Sequence, residues 1–127
     1  MNNLTNILAI ATGGALGAVS RYGVMVAFGS LSTFPMGTLS VNVLGAFILG
    51  LLLELNALTF SLPEVWRMGL VVGFLGAFTT FSTFSMDTVY LLQKGQLLKA
   101  SVYILLSVGL SITVFYLGMK CGKLIVS

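Results

Sequence analysis

The residues best suited to chemistry lie together near the middle of the chain, in the stretch Gly73–Ser85, which reads GFLGAFTTFSTFS. Glycines, hydroxyl residues and phenylalanines alternate here more densely than in an ordinary membrane helix. Hydroxyls can bond back to the carbonyl one turn earlier without disturbing a helix, but glycine and β-branched threonine both lower helix propensity. The stretch therefore predicts a helix broken at membrane depth, whose freed carbonyls, hydroxyls and phenyl edges face a binding site or an ion path.

Two kinds of ion are compatible with such a break. Backbone carbonyl oxygens favour a hard cation such as Na⁺, and two breaks that meet across a symmetry axis could supply about four of them. The edge of a phenyl ring carries partial positive charge, so Phe81 and Phe84 could favour a small anion, although packing against lipid or protein is the commoner role. The neutral donors that could line a path are Asn42, Thr80, Ser82, Thr83, Tyr103, Ser107 and Ser111.

The elements that must position these residues are membrane helices. The chain has 127 residues, of which 57% are hydrophobic and 7% charged, whereas a soluble domain carries about a quarter charged residues. A spanning helix needs about 20 apolar residues, so four spans fit at most. We predict an all-α membrane protein, one integral membrane domain with spans at about 4–28, 38–58, 65–93 and 100–118. The absence of histidine and the single cysteine argue against a transition-metal site.

A few strongly polar residues fall within or near the ends of these spans. Asn42 shares one helix face with Ala46 and Gly50, and its amide needs partners in hydrocarbon. It either bonds a neighbouring helix or donates to a passing anion. Arg21, near the end of the first span, either snorkels to the headgroups or attracts anions at the mouth of a path. Glu54, near the end of the second span, is expected to reach water.

The basic residues are divided almost equally between the two ends of the predicted spans. One side carries Arg67, Lys120 and Lys123, and the other carries Lys94, Lys99 and, if it is counted, Arg21. A Lys/Arg bias normally sets the orientation of a membrane protein, and here the bias is close to zero. Either another feature decides the orientation, or both orientations are inserted. The second alternative would allow an antiparallel dimer with its two breaks face to face.

Three motifs in this order resemble the Fluc (CrcB) fluoride channels of bacteria, over the whole chain. They are Gly14-x-x-Gly17-Ala18-x-x-Arg21-Tyr22, Gly37-Thr38-Leu39-x-Val41-Asn42-x-x-Gly45-x-Phe47-x-x-Gly50 and Gly73-Phe74-x-Gly76-x-x-Thr79-Thr80-Phe81-Ser82-Thr83-Phe84-Ser85. The resemblance implies a dual-topology antiparallel homodimer with two fluoride pathways. It also implies a structural Na⁺ at the dimer axis, held by the backbone carbonyls of Gly76 and Thr79.

The resemblance further implies roles for single residues. Phe81 and Phe84 would contact fluoride, Asn42 would be the pathway amide, and Arg21 would lie at a vestibule. Tyr103, Ser107 and Ser111 would form a polar track on the fourth helix. Asp87 stands where many family members have Glu, and the shorter acid leaves its contribution to this track open. The implied function is passive export of cytoplasmic fluoride across the bacterial inner membrane. The expected partners are fluoride, Na⁺, lipid and a second copy of the chain. We expect neither enzymatic activity nor nucleic-acid binding.

Two other classes of protein are alternative hypotheses to a fluoride channel. A small proton-coupled multidrug exporter can also have four spans, but it needs a carboxylate in the middle of the first span, and that span holds none. A membrane scaffold would use the glycines only to pack helices. A continuous third helix without a bound ion would favour the scaffold.

Overall fold

The computed structural model describes residues 2–29, 33–59 and 61–127, and within these ranges the chain is helical and contains no strand. The predicted connections at 29–37 and 59–64 lie partly outside the described residues. The helices are α1 (Asn3–Gly29), α2 (Met36–Leu58), α3 (64–78), α4 (Phe81–Gln93) and α5 (Leu97–Val126).

Four helical segments among the described residues are long and apolar enough to cross a membrane: Asn3–Gly29, Met36–Leu58, Glu64–Gln93 and Leu97–Val126. In lipid every backbone polar group needs an internal partner, which favours helices for such apolar runs. The prediction of an all-α membrane protein with four such helices is confirmed. The last helix continues to Val126, past the predicted end of its span at residue 118.

The third of these segments, Glu64–Gln93, changes its backbone geometry along its length. It is α-helical at Glu64–Arg67, π-helical at Met68–Leu75 and α-helical again at Gly76–Phe78. Thr79 (φ −90°, ψ 157°) and Thr80 (φ −155°, ψ 118°) are extended. These two residues, called here the Thr79–Thr80 link, connect α3 to α4. The link lies inside the glycine- and hydroxyl-rich stretch.

Helices α1 and α3 run parallel and meet backbone to backbone. A Cβ added at Gly17 would lie 2.9 Å from the carbonyl carbon of Phe74 and still closer to its oxygen, and one added at Gly73 would lie 2.7 Å from the carbonyl oxygen of Ile10. Small residues at helix interfaces permit this approach in membranes. At the start of both helices, Asn6 Nδ2 donates to Glu64 Oε1 over 2.7 Å. The pairing therefore fixes the register of α1 along α3.

Helices α2 and α5 form the most extensive helix pair and are also parallel. A Cβ at Gly50 would lie 3.0 Å from the carbonyl carbon of Phe115, and one at Gly118 would lie 3.0 Å from the backbone nitrogen of Leu51. The prediction that Glu54 reaches water is wrong, because its exposed fraction is 8%. Helix α5 extends far enough for Gly122 to pack against the Glu54 side chain, and Lys123 Nζ lies 3.8 Å from Glu54 Oε1.

The buried core lies between α2, α4 and α5. Tyr103 and Val41 are fully buried, and Tyr103 packs with Leu39, Leu91 and Ala100. Large aromatic side chains bury much apolar area, and a buried tyrosine hydroxyl normally has a hydrogen-bond partner. This core holds α4 and α5 against α2 on the far side of the link from α3.

Candidate functional site

Side chains from two other helices bond the backbone groups around the Thr79–Thr80 link. In a continuous α-helix, the Thr80 N–H would bond the Gly76 carbonyl, and the Ala77 carbonyl would accept from Phe81. Instead, the Thr80 N–H donates to Asn42 Oδ1 over 2.7 Å, and Arg21 Nε donates to the Ala77 carbonyl over 2.9 Å. Asn42 Nδ2 also donates to the Thr80 carbonyl over 3.0 Å. Asn42 on α2 and Arg21 on α1 thus replace helical hydrogen bonds.

Thr80 also caps the helix that follows it. Its Oγ1 accepts from the backbone N–H of Thr83 over 3.1 Å, the standard bond of an N-cap residue. The same hydroxyl lies 3.1 Å from Thr83 Oγ1 and 3.3 Å from Ser82 Oγ. Such a cap is worth about 1 kcal/mol, so it favours a fresh helix start at Phe81 over continuation of α3.

A cavity of about 480 Å³ lies beside the link, between α2, α3, α4 and α5. It brings together eight of the predicted site residues, namely Asn42, Gly76, Thr79, Thr80, Phe81, Phe84, Ser107 and Ser111. The rest of its described wall is apolar, and no charged side chain lines it. The ring centroids of Phe81 and Phe84 are 5.4 Å apart with the rings tilted at 44°. Phe81 is 78% exposed in the single chain.

One buried hydroxyl on the cavity wall has no partner in the described part of the chain. Ser107 is buried, and its Oγ makes no hydrogen bond there. Hydroxyls in membrane helices usually bond back to a carbonyl one turn earlier, as Ser101 does to Leu97 over 2.9 Å. Since an unmade buried hydrogen bond costs about 1–3 kcal/mol, the Ser107 hydroxyl would gain a hydrogen bond from a ligand that reaches it.

Asp87 is the centre of a second polar cluster, and it does not line this cavity. Its Oδ2 accepts from Thr38 Oγ1 over 2.7 Å and from the Tyr103 hydroxyl over 3.0 Å. The Tyr103 ring lies 5.2 Å, centroid to centroid, from that of Phe84, which links the cluster to the cavity wall. Thr38, Asp87 and Lys94 line a further cavity of about 260 Å³.

Five predicted site residues lie outside the larger cavity: Arg21 bonds Ala77, Ser82 and Thr83 lie at the Thr80 cap, and Tyr103 and Asp87 form the second cluster.

Thr38 was not among the predicted site residues, although its position four residues before Asn42 puts it on the same face of α2. Its exposed fraction is 3%, and such a buried hydroxyl in a polar cluster is as good a site candidate as Tyr103.

These features define a small multi-pass helical membrane protein with an uncharged, mainly apolar cavity that carries a few polar groups beside an extended link. Residues 8–119 match the family model described as "CrcB-like protein, Camphor Resistance (CrcB)". The match covers most of the chain, and the chain belongs to this family. The resemblance drawn from the three motifs is therefore confirmed.

Relatives in this family cover nearly the whole chain. A protein of Nitrobacter winogradskyi is 46% identical over 123 residues, covering 95% of this chain and 98% of its own length. A protein of Shewanella amazonensis is 49% identical over 119 residues, 92% and 95% of the two chains, and one of Vibrio parahaemolyticus is 50% identical over 115 residues, 87% and 89%. Each is named "Fluoride-specific ion channel FluC".

These names confirm two predictions. The family is one of channels rather than enzymes, as the sequence indicated. Together with four candidate spans, membership identifies the chain as a multi-pass protein of the bacterial inner membrane.

Proposed function

We propose that this chain is a passive fluoride-selective ion channel that exports cytoplasmic fluoride. The observation that carries the proposal is the uncharged wall of the cavity beside the link, which offers neutral donors and phenyl rings. A conducted ion must bind well enough to enter and weakly enough to leave. Neutral donors and aromatic edges meet both requirements for a small anion, whereas a lysine would hold it. The names of the relatives identify that anion as fluoride.

The pathway would use the cavity and its neighbouring cluster in sequence. Phe81 and Phe84 would turn ring edges toward the ion, and Ser107 and Ser111 would donate from α5. Tyr103 and Asp87 would continue the polar track beyond Phe84. Asn42 contributes by its second amide hydrogen, since its first donates to Thr80. The membrane potential, worth about 2.3 kcal/mol per charge per 100 mV, would drive the anion outward.

The proposal includes a third span broken near the membrane centre and a Na⁺ at the break. The Gly76 carbonyl fits a hard cation, because the Thr80 N–H that a continuous helix would aim at it is bonded to Asn42. Gly76 is also exposed on the surface of the single chain. Gly76 and Thr79 would hold the ion through their carbonyl oxygens. When bound, the ion would neutralise the negative ends of these exposed carbonyl dipoles.

We further propose an antiparallel homodimer with one pathway for each chain. The near-zero charge bias is compatible with both orientations, and the exposed Phe81 ring and Gly76 backbone are surfaces that a second copy would cover. Two chains would supply four carbonyl oxygens from Gly76 and Thr79. Cross-linking of the purified protein should trap a dimer, and a monomer that conducts fluoride would refute this part.

The function is tested by ion efflux from liposomes that contain the purified protein. We expect rapid fluoride efflux when a potassium ionophore clamps the potential, and far slower chloride efflux under the same gradient. Equal chloride efflux, or no fluoride efflux, would refute the proposed channel. For the cation, the melting temperature should be higher in NaCl than in choline chloride, because an ion bound only to the folded state stabilises it.

A further inference from the structure

We infer that Arg21 is a positioning residue, which holds the backbone of the Thr79–Thr80 link by taking the carbonyl of Ala77. Its Nε lies 2.9 Å from that oxygen in a partly buried contact. Hydrogen bonds from a charged donor are stronger than neutral ones. In a continuous helix the Ala77 carbonyl would accept from Phe81, and the guanidinium takes the place of that donor.

The approach of α1 to α3 is what brings Arg21 to this carbonyl. Gly17 lies one helical turn before Arg21, on the same face of α1, and touches the backbone of Phe74. Because the two helices are parallel, the next turn of each brings Arg21 level with Ala77. Arg21 is thus held at the link. It does not group with Lys94 and Lys99, the basic residues with which it was counted at one end of the predicted spans.

Arg21 and Asn42 act on opposite sides of the link. Asn42 takes the Thr80 N–H and carbonyl, which leaves the Gly76 carbonyl without its helical donor. Arg21 takes the Ala77 carbonyl, which removes that oxygen from the set available to a cation. The two side chains thereby select between two neighbouring carbonyls, because they leave that of Gly76 free and occupy that of Ala77. This selection rests on the proposed cation site, whereas the anchoring of the link by Arg21 does not.

The test compares two substitutions that both remove the charge. In Arg21→Gln the side-chain Nε2 lies the same number of bonds from Cα as the arginine Nε, so a neutral donor is kept. In Arg21→Met a methyl group lies the same number of bonds from Cα as the arginine Nε, so the donor is lost at similar side-chain length. Backbone hydrogen exchange is then followed at Thr80 and Thr83, whose N–H groups are bonded at the link. Arg67→Met, at an exposed position of α3, is the matched control.

We expect Arg21→Met to accelerate exchange at both amides about tenfold, which corresponds to loss of one charge-assisted hydrogen bond. Arg21→Gln should stay much closer to the parent protein, and Arg67→Met should equal it. Equal acceleration in the Gln and Met variants, or none in either, would overturn the inference. If Arg21→Met does not fold, Arg21→Gln decides alone: parent-like exchange supports the anchoring, and faster exchange refutes it.

Fluoride efflux of the same variants separates this inference from the proposed function. If Arg21 served only as an anion-attracting charge, Gln and Met would slow efflux equally while leaving exchange unchanged. That outcome would refute positioning and leave the channel intact. Conversely, exchange that responds as expected in a protein without fluoride efflux would uphold the anchoring of the link and refute the channel.

Discussion

Gly17→Ala is the most direct test of the contact between α1 and α3. The new Cβ would lie 2.9 Å from the carbonyl carbon of Phe74, whereas ordinary contacts begin at 3.4 Å, so the two backbones must separate by at least about 0.5 Å. The Phe74 atoms that the new Cβ would meet belong to the backbone, so they cannot move aside as the end of a flexible side chain could. Overpacking of this kind costs about 1–3 kcal/mol. The same separation would stretch the Arg21–Ala77 bond toward the limit of a hydrogen bond.

Gly23→Ala on the same helix is the matched control, because a Cβ at Gly23 meets nothing within 4 Å. Both substitutions raise helix propensity by about 1 kcal/mol, so this gain cancels when the two variants are compared. The free energy of unfolding, measured in one detergent with a chemical denaturant, should be about 1–3 kcal/mol lower for Gly17→Ala than for Gly23→Ala. Equal stabilities would refute the backbone-to-backbone contact described for these helices.

Three further predictions address the other helix pair and the two polar clusters. In Gly50→Ala the new Cβ would lie 3.0 Å from the Phe115 carbonyl carbon, so this variant should melt at a lower temperature than Gly109→Ala, whose Cβ meets nothing within 4 Å. Equal melting temperatures would contradict the packing of α2 on α5. Asp87→Leu should lower the free energy of unfolding by about 1–3 kcal/mol, because it leaves the buried Tyr103 hydroxyl unpaired. In a double-mutant cycle, adding Tyr103→Phe should recover part of that loss, whereas additive losses would show that the two residues are not coupled. Ser107→Ala removes a hydroxyl that makes no hydrogen bond within the described chain, so it should not lower the melting temperature. It should slow fluoride efflux by removing a donor from the proposed path, whereas Ser101→Ala, away from the cavity, should leave efflux unchanged; unchanged efflux in Ser107→Ala would remove Ser107 from the path.

The sequence predicted well what depends on local pattern. Four apolar runs predict four helices, because lipid leaves the backbone few alternatives. The four-residue spacing of Asn42 with Ala46, and of Ser107 with Ser111, placed both pairs on helix faces that meet at the cavity. The extended Thr79–Thr80 link lies within the Gly73–Ser85 stretch, whose glycines and threonines have low helix propensity.

What the sequence could not predict depends on how the helices lie against one another. The partner of Arg21 is a backbone carbonyl, which every residue carries, so only the register of α1 on α3 selects Ala77. The burial of Glu54 follows from the length of α5, which extends past residue 118 and brings Gly122 over it. The π-helical winding of Met68–Leu75 has no periodic apolar signature and was not predicted.

The parallel pairing of α1 with α3, and of α2 with α5, bears on how the protein is made. Consecutive spans cross a membrane in opposite directions, so each tight pair joins helices separated by one other span. During synthesis, the Gly13–Gly17 face of α1 has no partner until the third span has left the ribosome, and the Gly50 surface of α2 has none until the last span has done so. Truncation before α5 would therefore leave the surface of α2 around Gly50 open to lipid. The bundle closes only at the end of translation.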